Sequence, residues 1–234
     1  MKRATWLLAA AAAAAASCSS QSSKAEPVDA AYLMDISAND KEEIAALRAT
    51  EAELEDQKAF AEHQIEKVKA DKKVSEQELE IAKKEIEAAE ASVEAARTTE
   101  EADAARQRVE DSRAHVAWAE KQVDYQDARV DWAEEQHDLA ECKVDLAKAR
   151  VEQRKAQAVA DLPPEKRAAD VDLTAYNNKL ADAELAVREC EIELEAAAEK
   201  AKAHLVTMDK LAERVPEDRR ATWRSTVTRE GEPY

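Results

Sequence analysis

Cysteine, histidine and clustered carboxylates are the side chains in this chain that could carry covalent, metal or acid–base chemistry. The cysteines are Cys18, Cys142 and Cys190. An exported chain can join the last two, provided their Cα atoms come within about 7 Å. In a helical hairpin Cys190 falls on the seam, whereas Cys142, two residues before Val144, falls on the far face of its helix. The expectation is therefore two buried thiols. His63, His115, His137 and His204 are scattered, with no His-Glu-x-x-His and no cysteine pair at metal-ligand spacing. His137 and His204 read as polar seam residues that help fix register. Acidic runs such as Glu76 to Glu90 read as solvated helix faces. No catalytic residue, no metal ligand and no cofactor is expected.

Aromatic side chains offer a different chemistry, that of contact. Trp118, Tyr125 and Trp132 recur every seven residues. Such a row could stack a sugar or a base, but at this spacing a core or partner seam is the simpler reading. It is the leading candidate for a partner-contact surface. Trp223, beside Arg219, Arg220 and Arg224, is the one basic-aromatic cluster and a second candidate.

The elements that must position these residues are helices. The chain holds one glycine, 4% aromatic and 37% charged residues, the composition of long helices or coiled coil. The lack of glycine also excludes phosphate-cradling loops. In the first segment Ile65, Lys72, Leu79, Ile86 and Val93 form one stripe, and Leu47, Leu54, Ala61, Val68, Ser75, Ala82 and Ala89 its partner, which places Lys72 and Ser75 inside the seam. Near Thr98 the phase slips, and Thr98 with Glu101 has the form of a capping box. This marks either a reversal or a slip within one continuous helix. The second segment carries a valine row, from Val109 to Val151, with alanines in the partner position, and the aromatic row on another side. Two apolar faces imply two neighbours. Pro163 and Pro164 break the pattern, and Leu173, Leu180, Val187, Leu194, Ala201, Met208 and Val215 resume it. Folding back at the prolines sets Val151 opposite Ala183, Val144 opposite Cys190 and Ala147 opposite Val187. Large then meets small, layer after layer. The expected fold is all-α: an elongated antiparallel coiled-coil hairpin or three-helix bundle.

The first residues of the chain give Cys18 its meaning. Lys2 and Arg3 precede an apolar run, Trp6 to Ala16, too short to span a bilayer, which ends in Ala15-Ala16-Ser17-Cys18. This segment resembles the signal peptide of a bacterial lipoprotein, whose lipobox ends in the cysteine that becomes the lipidated amino terminus. Ala15 stands where that lipobox usually has leucine. The resemblance covers the signal segment alone. It implies a lipidated Cys18, a bilayer anchor through palmitate-type acyl chains, and, with Ser19 in place of aspartate, sorting to the outer membrane, facing the periplasm.

The resulting organisation is a signal peptide over 1–17, lipidated cysteine and flexible tether over 18–39, one long helix or two broken near Thr98 over 40–161, a returning helix over 162–215, and a polar tail over 216–234. The net charge of -17, which loss of Lys2 and Arg3 makes two units more negative, excludes nucleic acid and anionic head groups as partners. No small-molecule substrate is evident. The expected function is a non-catalytic envelope scaffold, spacer or adaptor, meeting a protein partner or its own copies through helical seams. The alternative is a periplasmic binding module, a holdase or accessory subunit, that uses the Trp118, Tyr125 and Trp132 face.

Overall fold

The computed structural model describes residues 26–166 and 171–217. The signal segment, Cys18 and Trp223 lie outside them. The described chain is all-α, with a 3₁₀ turn at Tyr32–Met34 followed by α1 (Ala38–Ala95), α2 (Thr99–Ala160) and α3 (Leu173–Ala212). There is no strand among the described residues, and no helix there is long and apolar enough to cross a membrane.

Each helix starts at a side-chain cap. Ser37 Oγ accepts the Asp40 N–H at 3.1 Å. Between α1 and α2 the chain reverses at Ala96–Thr98, so the phase slip is a turn. Thr98 Oγ1 accepts the Glu101 N–H at 3.2 Å, and Glu101 accepts the N–H groups of Arg97 and Thr98 at 2.9 and 3.2 Å. Because Ala96 and Thr98 are both extended at negative φ, the reversal needs neither glycine nor proline. The capping box satisfies donors that a helix start leaves open.

Two expected boundaries move. The returning helix begins not at residue 162 but at Leu173, where Asp172 accepts the Thr174 N–H at 3.0 Å. Pro163 and Pro164 occupy a turn closed by Lys166 N–H on the Pro163 carbonyl at 2.9 Å. The tether is also shorter than residue 39. Ile36 is buried with Ile44, Val159 and Leu162, and Val28 and Leu33 pack against the same cluster. The Val28 N–H donates to Glu152 at 3.0 Å, and the Tyr176 hydroxyl donates to the Glu26 carbonyl. Three apolar side chains that would otherwise face water cover the end of α2.

The helices run antiparallel in series. Lys58–Glu141 (2.7 Å), Lys72–Asp127 (2.6 Å) and Arg113–Glu90 (3.3 Å) join α1 to α2. Arg150–Glu184 (3.9 Å) and Lys200–Asp131 (2.6 Å) join α2 to α3. The Arg150–Glu184 pair lies in the register expected from folding at the prolines. α2 packs along both neighbours, whereas α1 and α3 do not pack along each other. The result is an open layer with α2 in the middle, about 93 Å along its 62 residues.

Large apolar side chains gather in two clusters. Ile36, Ile44, Val159 and Leu162 close one end of the layer. Trp118, Tyr125, Met208 and Val215 pack where α3 ends, partway along α2. Between them the α1–α2 contact is built from small and polar residues, with Ala82, Ser75, Ala119, Gln122 and Gln126 all fully buried. Small side chains let two helices approach closely, which contributes dispersion contacts in place of bulk. Lys72 is not inside the seam as expected. It lies half-exposed on the flank, paired with Asp127, and its neighbour Asp71 takes the inner place.

Candidate functional site

The aromatic row lies on the face of α2 that α3 covers. Trp118 is 2% exposed and Tyr125 is fully buried, both packed with Met208 and Val215, while Trp132 is half-buried. Trp118 and Tyr125 are therefore core residues within one chain, and this corrects their reading as a surface open to partners. The cause is a rotation of α2. Its valine face turns to α1, where Lys58–Glu141 and Lys148–Glu55 bracket Val144. Its aromatic face turns to α3. The stripe expected on α3 is the one that packs, but against the other side of α2.

The same rotation brings the cysteines together. Cys142 and Cys190 form a disulfide, with Cα atoms 7.0 Å apart and a separation of 48 positions in sequence. The expectation of two free thiols fails because Cys142 lies on the α3 side of α2, not on its far side. Both cysteines are half-buried. The bond ties the middle of α3 to α2, between the two apolar clusters.

A buried polar group sits at the centre of the α1–α2 seam. Arg129 donates to Gln126 at 3.1 Å and to Asp71 at 3.4 Å. Its guanidinium lies 5.9 Å from the centre of the Tyr125 ring. Burial pushes the Asp71 carboxyl above its ordinary range against the pull of Arg129. His115 Nδ1 lies 3.1 Å from Glu85, and its ring stacks on Trp118 with centroids 6.0 Å apart. This network ties the polar seam to the apolar cluster where α3 ends.

His137, Asp138 and Glu141 bring three ligand-type atoms within 4.8 Å of one another. Each already has a partner: His137 Nδ1 lies 3.2 Å from Asp138, and Glu141 accepts from Lys58 at 2.7 Å. The pull of Lys58 holds the Glu141 carboxyl below its ordinary range. A cation here would have to displace Lys58, so the group works as an ion-pair cluster. His63 is exposed and His204 half-buried, far from one another in the layer.

Among the described residues one hollow of about 410 Å³ lies against Leu33, Ile36 and Ile44, and a longer cleft lies between α1 and α3, with α2 as its floor. It has two sections, of about 510 Å³ and 290 Å³. Phe60, Leu139 and Leu194 line the first. Leu54, Leu146 and Val187 line the second. Lys143 lines both. Arg150, paired with Glu184, also lines the second. The apolar walls with few charges suit a helix better than a polar small molecule. The heptad pattern did not reveal this cleft, although Val187 and Leu194 lay in the α3 stripe and Leu139 and Leu146 continue the aromatic row at seven-residue spacing. Its signal was the width of the apolar arc on α2, which two neighbours do not fill.

The site and fold together define a disulfide-stapled, three-helix all-α layer with an open apolar cleft. No family model, no curated protein and no solved structure matches the chain.

Proposed function

We propose that this chain is a lipid-anchored protein of the bacterial envelope that acts as a non-catalytic scaffold, spacer or adaptor. The observation that carries this reading is the segment from Lys2 to Cys18, with its positive start, short apolar run and small residues before a cysteine. The chain is strongly acidic overall, which disfavours holding an anionic membrane surface by charge, so acyl chains on Cys18 supply the attachment. Residues 26–37 dock at the end of the layer formed by the α2–α3 loop. The anchor therefore attaches at one end of a long stiff body, and the rest of that body reaches away from it. A rod anchored at one end separates or connects structures about 90 Å apart, and this needs no turnover. Periplasmic oxidation also suits the Cys142–Cys190 bond.

Fractionation of cells expressing the wild type and Cys18→Ser tests the proposal. The wild type is expected in the outer-membrane fraction, labelled by a palmitate analogue, and Cys18→Ser in the soluble fraction with unchanged helical circular dichroism. Membrane retention of Cys18→Ser, or an unlabelled wild type, overturns it.

A further inference from the structure

The cleft is matched by a second surface feature on the same chain. Leu185, Ile192 and Val206 share one heptad position of α3, opposite the side that packs on α2, and are 55%, 67% and 47% exposed. Ala181, Ala196 and Ala203 continue this face and are exposed too. A helix buried along one side and apolar along the other has a neighbour still to meet.

The cleft floor is spaced to receive it. Leu139 and Leu146, in the two sections, are one heptad apart, about 10.5 Å along the helix. Lys143 stands between them, four residues after Leu139, and makes no ion pair or hydrogen bond among the described residues. Leu185 and Ile192 are likewise one heptad apart, and Glu189, four residues after Leu185, is exposed and unpaired among the described residues. Laid parallel to α2, a second α3 sets Leu185 over Leu139, Glu189 over Lys143 and Ile192 over Leu146 at once. Laid the other way, it brings Arg188 onto Lys143, and like charges in an apolar cleft repel. Asp56, on the α1 wall of the first section, offers a partner to Arg188 in the parallel setting.

We infer that the outward face of α3 on one copy docks in the α1–α2–α3 cleft of a second copy, with Leu185 and Ile192 in its two sections and Glu189 on Lys143. This goes beyond the scaffold reading by naming a partner, and it does not rest on that reading. Cleft and stripe are different surfaces, so the contact is heterologous. Each bound copy still presents one of each, and the product is an open string. Because α3 runs against α2 within a chain, neighbours in the string point in opposite directions. Their docked amino-terminal segments then lie at opposite ends of the pair.

Sedimentation velocity over a concentration series tests this on the exported chain carrying Cys18→Ser, so that no lipid contributes, at about 0.15 M salt, where repulsion between acidic copies is screened. The expected result is growth beyond a dimer as concentration rises. Lys143→Glu and Glu189→Lys are each expected to weaken association at least about tenfold, and mixing the two variants to restore it, since each then meets an opposite charge. Leu185→Asp with Ile192→Asp is expected to abolish growth while circular dichroism stays helical, because both side chains are exposed in the single chain. A monomer at every concentration, association indifferent to these substitutions, or no restoration on mixing overturns the inference. None of those outcomes touches the Cys18 fractionation, so the two readings fail separately.

Discussion

Arg129 is 2% exposed and lies between Asp71 and Gln126 in a seam otherwise made of small residues. A buried charge keeps its place only while its partners do. Arg129→Ala leaves the Asp71 carboxylate without its cation and is expected to destabilise the chain by about 3 kcal/mol in urea unfolding. Lys72→Ala removes the half-exposed pair with Asp127 on the flank and is expected to cost less than about 1 kcal/mol. Equal effects would show that the seam is not the dry contact described. The carboxyls also set a pH response. Burial raises Asp71 and Glu78, and burial with the surrounding charges of Glu193, Asp138 and Asp131 raises Glu135. These three take up protons on folding between the ordinary carboxylate range and their raised values, so lowering pH through that window increases stability. Asp40, held down by Ser37 and Arg154, and Glu141, held down by Lys58, work the opposite way. Their contribution is present above the ordinary range and lost as pH falls toward their lowered values. Melting temperature is therefore expected to rise as pH falls from 7 toward the ordinary carboxylate range and to fall again below it. A steady fall from pH 7 would contradict the burial of these groups.

Among the elements, α3 depends most on a covalent tie. Only Ala175, Ala201 and Met208 are buried in its 40 residues, against a long series in α2. Closing a loop of 48 residues stabilises by roughly 4 kcal/mol in the chain-entropy description. Replacing Cys142 and Cys190 by serine is expected to lower stability by about that amount, with faster hydrogen exchange in α3 than in α1. Uniform exchange across the three helices would place the disulfide outside the determinants of α3 docking. The helical class, the break in phase near Thr98 and the stripe by which α3 packs were legible in the sequence, but whether that break was a reversal or a slip was not. The capping box is a local signal, and heptad spacing is local too. The cysteine pairing was not legible, because it depends on which side of α2 meets α3. Both sides of α2 carry apolar rows one heptad apart, and periodicity does not rank them.

At the scale of the whole molecule, the open layer has a measurable length and cross-section. Small-angle scattering of the Cys18→Ser chain at low concentration is expected to give a maximum dimension dominated by a body of about 90–95 Å, set by the 62 residues of α2. A maximum near 180 Å at low concentration would mean that α1 and α2 form one unbroken rod. Length and the ends belong to one copy, while the cleft leaves room for another helix beside α2.

The sequence by itself determined the helical class, the heptad stripe by which α3 packs and the antiparallel register at the prolines. These follow from composition, from spacing and from capping, which act over one or two turns of chain. The tertiary structure alone decided which stripe of α2 meets which neighbour. Trp118 and Tyr125 fit against Met208 and Val215, and the valine and alanine rows fit closely against α1. That choice rests on shape complementarity between whole faces. From it follow the burial of the aromatic row, the Cys142–Cys190 bond and the cleft that holds Lys143.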